Sequence, residues 1–119
     1  MESNSCILVV EDDDIIRESL VDTLRDEGFT VAEAANGRRA LDWLGKNPQP
    51  CIILLDIFMP VMNGVDFRQR QLQDPELSKI PVIVVSAISA GTEPDLQPLA
   101  YLQKPIDLDR LLGYVRQYC

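Results

Sequence analysis

The 119-residue chain contains no histidine. That removes the usual general base of serine and cysteine hydrolases, the commonest zinc ligand, and any phosphohistidine formed on the chain itself. Positive charge is also scarce: 11 Lys and Arg stand against 19 Asp and Glu, giving a formal charge of −8. The longest charge run, Glu11-Asp12-Asp13-Asp14, is acidic. Nucleic acid and anionic membranes demand positive potential, so neither direct nucleic-acid binding nor a membrane partner is expected. Long apolar runs are missing too. Stretches such as 52–55 and 82–85 are strand-sized, whereas a helix that spans a bilayer needs about 20 residues. The first five residues show no basic region leading into an apolar run, so no secretory signal is expected and the cytoplasm is the expected location. The three cysteines are odd in number and widely spaced, with no CxxC pair. Cys6 and Cys51 border strand-like runs and are expected to pack as small apolar residues rather than form a redox or zinc site, which suits a reducing compartment. Carboxylates, hydroxyls and lysine remain as the material for chemistry.

What is present is a regular alternation of apolar runs and amphipathic stretches, in a length that suits one compact domain. Residues 6–10 read as a buried strand. Asp14 is placed to cap a helix with Ile16, Leu20 and Leu24 at four-residue spacing and Gly28 as its stop. Residues 30–35 read as a second strand, and Asn36 caps a helix carrying Ala40, Leu41 and Leu44. Strands follow at 51–55, 81–85 and 99–102, and a closing helix carries Leu108, Leu111, Leu112 and Val115 on one side. A helix after Gly64 is allowed by Val65, Phe67 and Leu72, but Arg68, Gln69, Arg70 and Gln71 leave its apolar face thin. Between Ser86 and Tyr101 a fourth helix is doubtful, because Pro94 and Pro98 leave room for very few helical residues. Strands joined by helix-length crossovers require a parallel α/β sheet covered on both faces.

Four of the five strands run into a polar residue able to act: Glu11 and Asp12, Asp56, Ser86, and Lys104. In a parallel α/β sheet these positions share the carboxyl edge, where ligands bind. Three carboxylates at one mouth repel each other unless a cation joins them, and oxygen-only ligands suit Mg2+ or Mn2+. With such an ion a phosphoryl group can approach a carboxylate, and Asp56 is then a candidate nucleophile. Lys104 would pair with a phosphate oxygen, and Ser86 would donate a hydrogen bond to another. Taken singly, the acid run is a loop with a helix cap, Asp56 a turn residue, Ser86 structural, and Lys104 a solvated surface residue. Their convergence in strand order at one edge is what favours a site.

These residues resemble a known family. Ile7-Leu8-Val9-Val10-Glu11-Asp12-Asp13, Leu54-Leu55-Asp56-Ile57-Phe58-Met59-Pro60-Val61-Met62-Asn63-Gly64, Pro81-Val82-Ile83-Val84-Val85-Ser86-Ala87 and Tyr101-Leu102-Gln103-Lys104-Pro105 are similar to the receiver domain of two-component response regulators. The resemblance implies a flavodoxin-like (βα)5 doubly wound sheet in the order 2-1-3-4-5, and a single receiver domain over residues 1–119 with no output domain in this chain. It implies Asp56 as phospho-acceptor, with Mg2+ bound directly by Asp12, mainly through water by Glu11, and further by Asp56 and the Phe58 carbonyl. Ser86 and Tyr101 would form the switch pair, Lys104 would pair with the phosphate, and the bond before Pro105 is often cis. The implied donor is a sensor histidine kinase or a histidine phosphotransfer protein. The output would be a change of protein-interaction surface, with a second copy of the chain as one candidate partner.

Two departures from that pattern stand out. The segment from Ser86 to Lys104 is about one helical turn short, so a shortened or irregular fourth helix is expected. Phe58 and Ile88 are apolar where a polar side chain can help orient attacking water, so slow self-dephosphorylation is expected, without enzymatic turnover. An aspartyl-phosphate phosphatase would carry a second Asp at the position of Phe58, and a flavodoxin-like electron carrier would not place Glu11-Asp12-Asp13-Asp14 beside a bound phosphate. The alternative that stays open is a receiver-like interaction module that no longer switches, supported only by the altered fourth helix.

Overall fold

A computed structural model describes residues 6–57, 61–86 and 98–119. Its strands are β1 (Cys6–Val10), β2 (Thr30–Ala34), β3 (Ile52–Asp56), β4 (Val82–Ser86) and β5 (Ala100–Gln103). They form one parallel sheet in the order β2-β1-β3-β4-β5. The helices are α1 (Asp14–Asp26), α2 (Gly37–Lys46), α3 (Gly64–Gln73) and α4 (Leu108–Tyr118), with a 3-10 turn at Leu77–Lys79. The expected fourth helix between Ser86 and Tyr101 falls largely on residues 87–97, outside the described residues.

Alternation along the strands splits the core in two. Leu8, Val10, Ile53, Leu55, Val82 and Val84 face one way and pack with Ala40 and Leu44 of α2 and Phe67 of α3. Ile7, Val9, Ile52, Leu54, Ile83 and Val85 face the other way and meet Leu20 and Leu24 of α1 and Leu111 and Val115 of α4. Every residue of β3 and β4 is buried, as in strands covered on both faces, while β2 at the sheet's edge alternates.

Several boundaries differ from the sequence reading by one residue. The strands expected at 51–55, 81–85 and 99–102 lie at Ile52–Asp56, Val82–Ser86 and Ala100–Gln103. The pairings Asp56 with Val85 and Ser86 with Gln103 extend the ladder through the polar residues, which apolar patterning excluded. The cap of α1 is Asp13 rather than Asp14: its Oδ1 accepts from the amides of Ile15 and Ile16, each at 3.0 Å. Asn36 caps α2 as expected, and Gly28 ends α1 at φ +95°, a conformation glycine adopts without steric cost.

The cysteine reading is corrected. Cys51 and Cys119 form a disulfide with Cα atoms 5.5 Å apart, and Cys6 alone keeps its thiol. The helix α4 runs back across the sheet and brings residue 119 beside the residue before β3, a juxtaposition that a separation of 68 residues conceals. Among the described residues no helix is long and apolar enough to cross a membrane.

Candidate functional site

The ladder brings the predicted residues to one edge. Val10 pairs with Leu55, so Glu11 leaves β1 beside Asp56, the last residue of β3. Ser86 ends β4, and its carbonyl accepts from the Lys104 amide at 2.8 Å, which fixes Lys104 just beyond β5. Lys104 Nζ lies 2.9 Å from Glu11 Oε1 and 3.5 Å from Asp56 Oδ1. Glu11, Asp56 and Ser86 are buried at 2%, 5% and 3% exposure, whereas Asp12 faces solvent. Ligand oxygens of Glu11, Asp12 and Asp56 all lie within 4.8 Å of one another.

Charge at this edge is not balanced. Asp56 is raised from the ordinary carboxylate value to about 7, first by burial and then by the charge of Glu11. Lys104 offsets part of this, while a hydrogen bond to Glu11 and the charge of Asp12 add to it. Burial pulls the Lys104 ammonium down, but its hydrogen bond to Glu11 and the Asp56 and Glu11 charges outweigh that and raise it. One lysine therefore serves two buried carboxylates, with a third acid at the mouth. A hard divalent cation suits this donor set: all ligands are oxygen, and they carry more negative charge than Lys104 compensates.

Tyr101 is half-buried on β5 and packs against the core on the α2 and α3 face. The Lys104–Pro105 bond is cis. Phe58, assigned a carbonyl ligand by resemblance, and Ile88 lie outside the described residues.

Three residues have roles that the sequence reading did not give them, two of them within the block 54–64. Arg17 straps the acidic loop: its Nη1 donates to the Glu11 carbonyl at 2.8 Å, its Nη2 to Asp14 at 2.6 Å, and its Nε to Glu33 at 3.0 Å. Only its spacing from Asp14 hinted at this. Gly64 donates its amide to the Ile57 carbonyl at 2.8 Å, and a Cβ there would run into the backbone of Asp56 and Ile57. Val61, in the connection after Asp56, sits at φ 65°, a left-handed conformation that costs a β-branched residue energy.

A doubly wound parallel sheet in the order β2-β1-β3-β4-β5, with acids and a lysine at its carboxyl edge, places the chain in the flavodoxin-like class of α/β domains. The family model described as "Response regulator receiver domain" matches residues 7–116. A curated relative, the polar-differentiation response regulator DivK of Brucella anthropi, is 31% identical over 116 residues, covering 94% of each chain. A response regulator receiver protein from Pseudomonas putida superposes with a TM-score of 0.90 at 26% identity, covering 98% of this chain and 99% of that one. The response regulator protein TrrA from Thermotoga maritima, solved in complex with Mg2+ and BeF, gives 0.83 at 27% identity, covering 96% and 98%. The chain belongs to the response regulator receiver domain family, the receiving module of two-component signalling.

Proposed function

We propose that this receiver accepts a phosphoryl group on Asp56 in a reaction that depends on Mg2+ or Mn2+, and that the modified state switches a protein-interaction surface. The observation that carries this reading is the placement of Asp56: nearly buried, 3.5 Å from Lys104, and clustered with Glu11 and Asp12. A carboxylate oxygen of Asp56 attacks phosphorus, and the bond from phosphorus to the donor's imidazole nitrogen breaks, the electron pair leaving with the imidazole. Lys104 moves its charge from Glu11 toward the incoming phosphate oxygens, and Ser86, within the same buried edge, donates its hydroxyl to another. Asp12, Asp56 and the Phe58 carbonyl would hold the cation directly and Glu11 through water; the ion would neutralise the acids and the approaching phosphoryl group. Tyr101 follows Ser86 as the packing element of a two-state equilibrium, biased by phosphate contacts present in one state only.

The donor is a histidine kinase or a histidine phosphotransfer protein. An apolar groove lined by Ile15, Ile16, Leu20, Pro105, Ile106 and Leu108 is continuous with the pocket through Lys104, which supports a protein donor seated there. Ile15 is 80% exposed in it.

Intact mass after incubation with acetyl phosphate tests the central claim. A single phosphoryl adduct is expected with Mg2+, none after chelation, and none for Asp56→Asn. A folded, Mg2+-binding protein that takes up no phosphoryl group would overturn the reading and leave a receiver-like module that no longer switches.

A further inference from the structure

All three cysteines lie at the amino edge of the sheet, five strand residues (roughly 16 Å) from the acidic pocket. Cys6 opens β1, and its carbonyl accepts from the Cys51 amide at 2.9 Å. Cys119 closes α4, its amide still donating to the Val115 carbonyl at 2.8 Å, so the last turn stays wound. The buried stripe of α4 runs Leu111, Val115, Cys119 at four-residue spacing and delivers the third of these onto the start of β3.

The two Cα atoms stand 5.5 Å apart, within the range a disulfide requires. Cys51 and Cys119 are each half-buried, so an external thiolate can reach the sulfurs. Among the described residues the three cysteines do not form a metal-ligand group. Cys6 is the obvious competitor for either partner, but burial pushes its thiol up, which leaves little thiolate to attack the bond.

We propose that Cys51–Cys119 is a reversible redox clasp on the last helix, opened and closed by thiols of the glutathione class. To open it, an external thiolate attacks one sulfur of the pair and forms a mixed disulfide, while the other sulfur leaves as thiolate and takes a proton. A second external thiol attacks its own kind in that mixed disulfide, freeing the second cysteine and releasing the oxidised donor. Two electrons pass from two thiols to the cystine, and the reverse sequence closes the clasp by reducing one oxidised donor. The open form keeps Leu111, Leu112 and Val115 on the core but loses the tie that holds the end of α4. Nothing in this requires Asp56, so the clasp stands or falls independently of phosphorylation.

The test equilibrates the full chain in glutathione buffers from oxidised to reduced, quenches with acid, alkylates under denaturing conditions and reads intact mass. One alkyl group is expected at the oxidised end and three at the reduced end, joined by a single two-electron transition. Cys6→Ser should pass from none to two with the same midpoint. Reduction should lower the Tm of the wild type and Cys6→Ser by about 10 °C, and leave Cys51→Ser, already at the lower value, unchanged. Three alkyl groups across the whole range would overturn the proposal. So would a glutathione adduct as the only oxidised product, a pair containing Cys6, or a Tm that ignores the redox state.

Discussion

The two edges of the sheet handle polar groups in opposite ways. At the amino edge they are matched: Gln71 donates to the Leu77 and Ile80 carbonyls at 2.8 and 3.2 Å, and its Oε1 accepts from Arg68 at 2.9 Å. The disulfide then ties α4 to the start of β3. At the carboxyl edge, by contrast, Lys104 is shared between two buried carboxylates, and Asp56 is driven up to about 7. The strands are the same and the cores beneath them are continuous, so the difference lies in what the loops bring. One edge spends its polar groups on holding the fold, and the other leaves an electrostatic debt, an excess of negative charge that a cation can settle.

The largest effect expected from disturbing this contrast comes from a methyl group. Gly64→Ala places a carbon against the backbone of Asp56 and Ile57, where no flexible side chain can yield. A loss of about 3 kcal/mol or more is expected. Gly113→Ala, in α4 with nothing within 4 Å of the added carbon, should instead stabilise by about 0.5–1 kcal/mol. Urea unfolding of both variants checks the pair, and a mild phenotype for Gly64→Ala would show that the β3–α3 connection yields.

The next effect concerns the debt itself. Because Asp56 holds its proton more tightly folded than unfolded, the folded state binds more protons between the ordinary carboxylate range and about pH 7. Stability should therefore fall as pH rises through that window and level off above it. The full displacement corresponds to about 4 kcal/mol as an upper bound, and about 2 kcal/mol is a realistic expectation once the pocket relaxes. In chelator-treated protein, the advantage of Asp56→Asn over wild type should thus grow between pH 5 and pH 7.5. Saturating Mg2+ should shrink it. Equal differences at both pH values would mean that the buried carboxylate is not under electrostatic load.

How much of this was readable beforehand depended on whether a residue acts through its own type or through its neighbours. Glu11, Asp56 and Ser86 each terminate an apolar run and Lys104 follows one by a single residue, so strand order alone placed them at one edge, and the sheet order followed from the resemblance. Arg17 acts by reaching back to the Glu11 carbonyl, and Gly64 by having no side chain near Asp56, and neither leaves a mark in periodicity. In α3, Arg68 and Gln71 looked like evidence of a thin apolar face, yet both are buried, with Gln71 bonding across to the connection before β4. The cystine was the plainest misreading. Spacing rules detect cysteine pairs close in sequence, and this one is made by the return of α4.

The smallest effect separates the two kinds of cost at the carboxyl edge, charge and backbone. Val61 is 83% exposed and so gains little from burial, yet its φ of 65° forces a β-branched residue into the left-handed region. The chain cannot leave that conformation freely, because the next residue, Met62, is buried and its carbonyl accepts from the Gly37 amide at 2.9 Å. Asn tolerates this region, so Val61→Asn should stabilise by about 1 kcal/mol. Val61→Gly removes the strain more completely but widens the unfolded ensemble, so its gain should be smaller. Unlike Asp56→Asn, neither change should depend on pH or Mg2+, since no charge is involved. Urea midpoints at pH 5 and pH 7.5 decide the matter: a gain that tracks pH would mean the loop strain and the carboxylate load are one quantity, and a loss for both variants would show that Val61 makes contacts worth more than its strain.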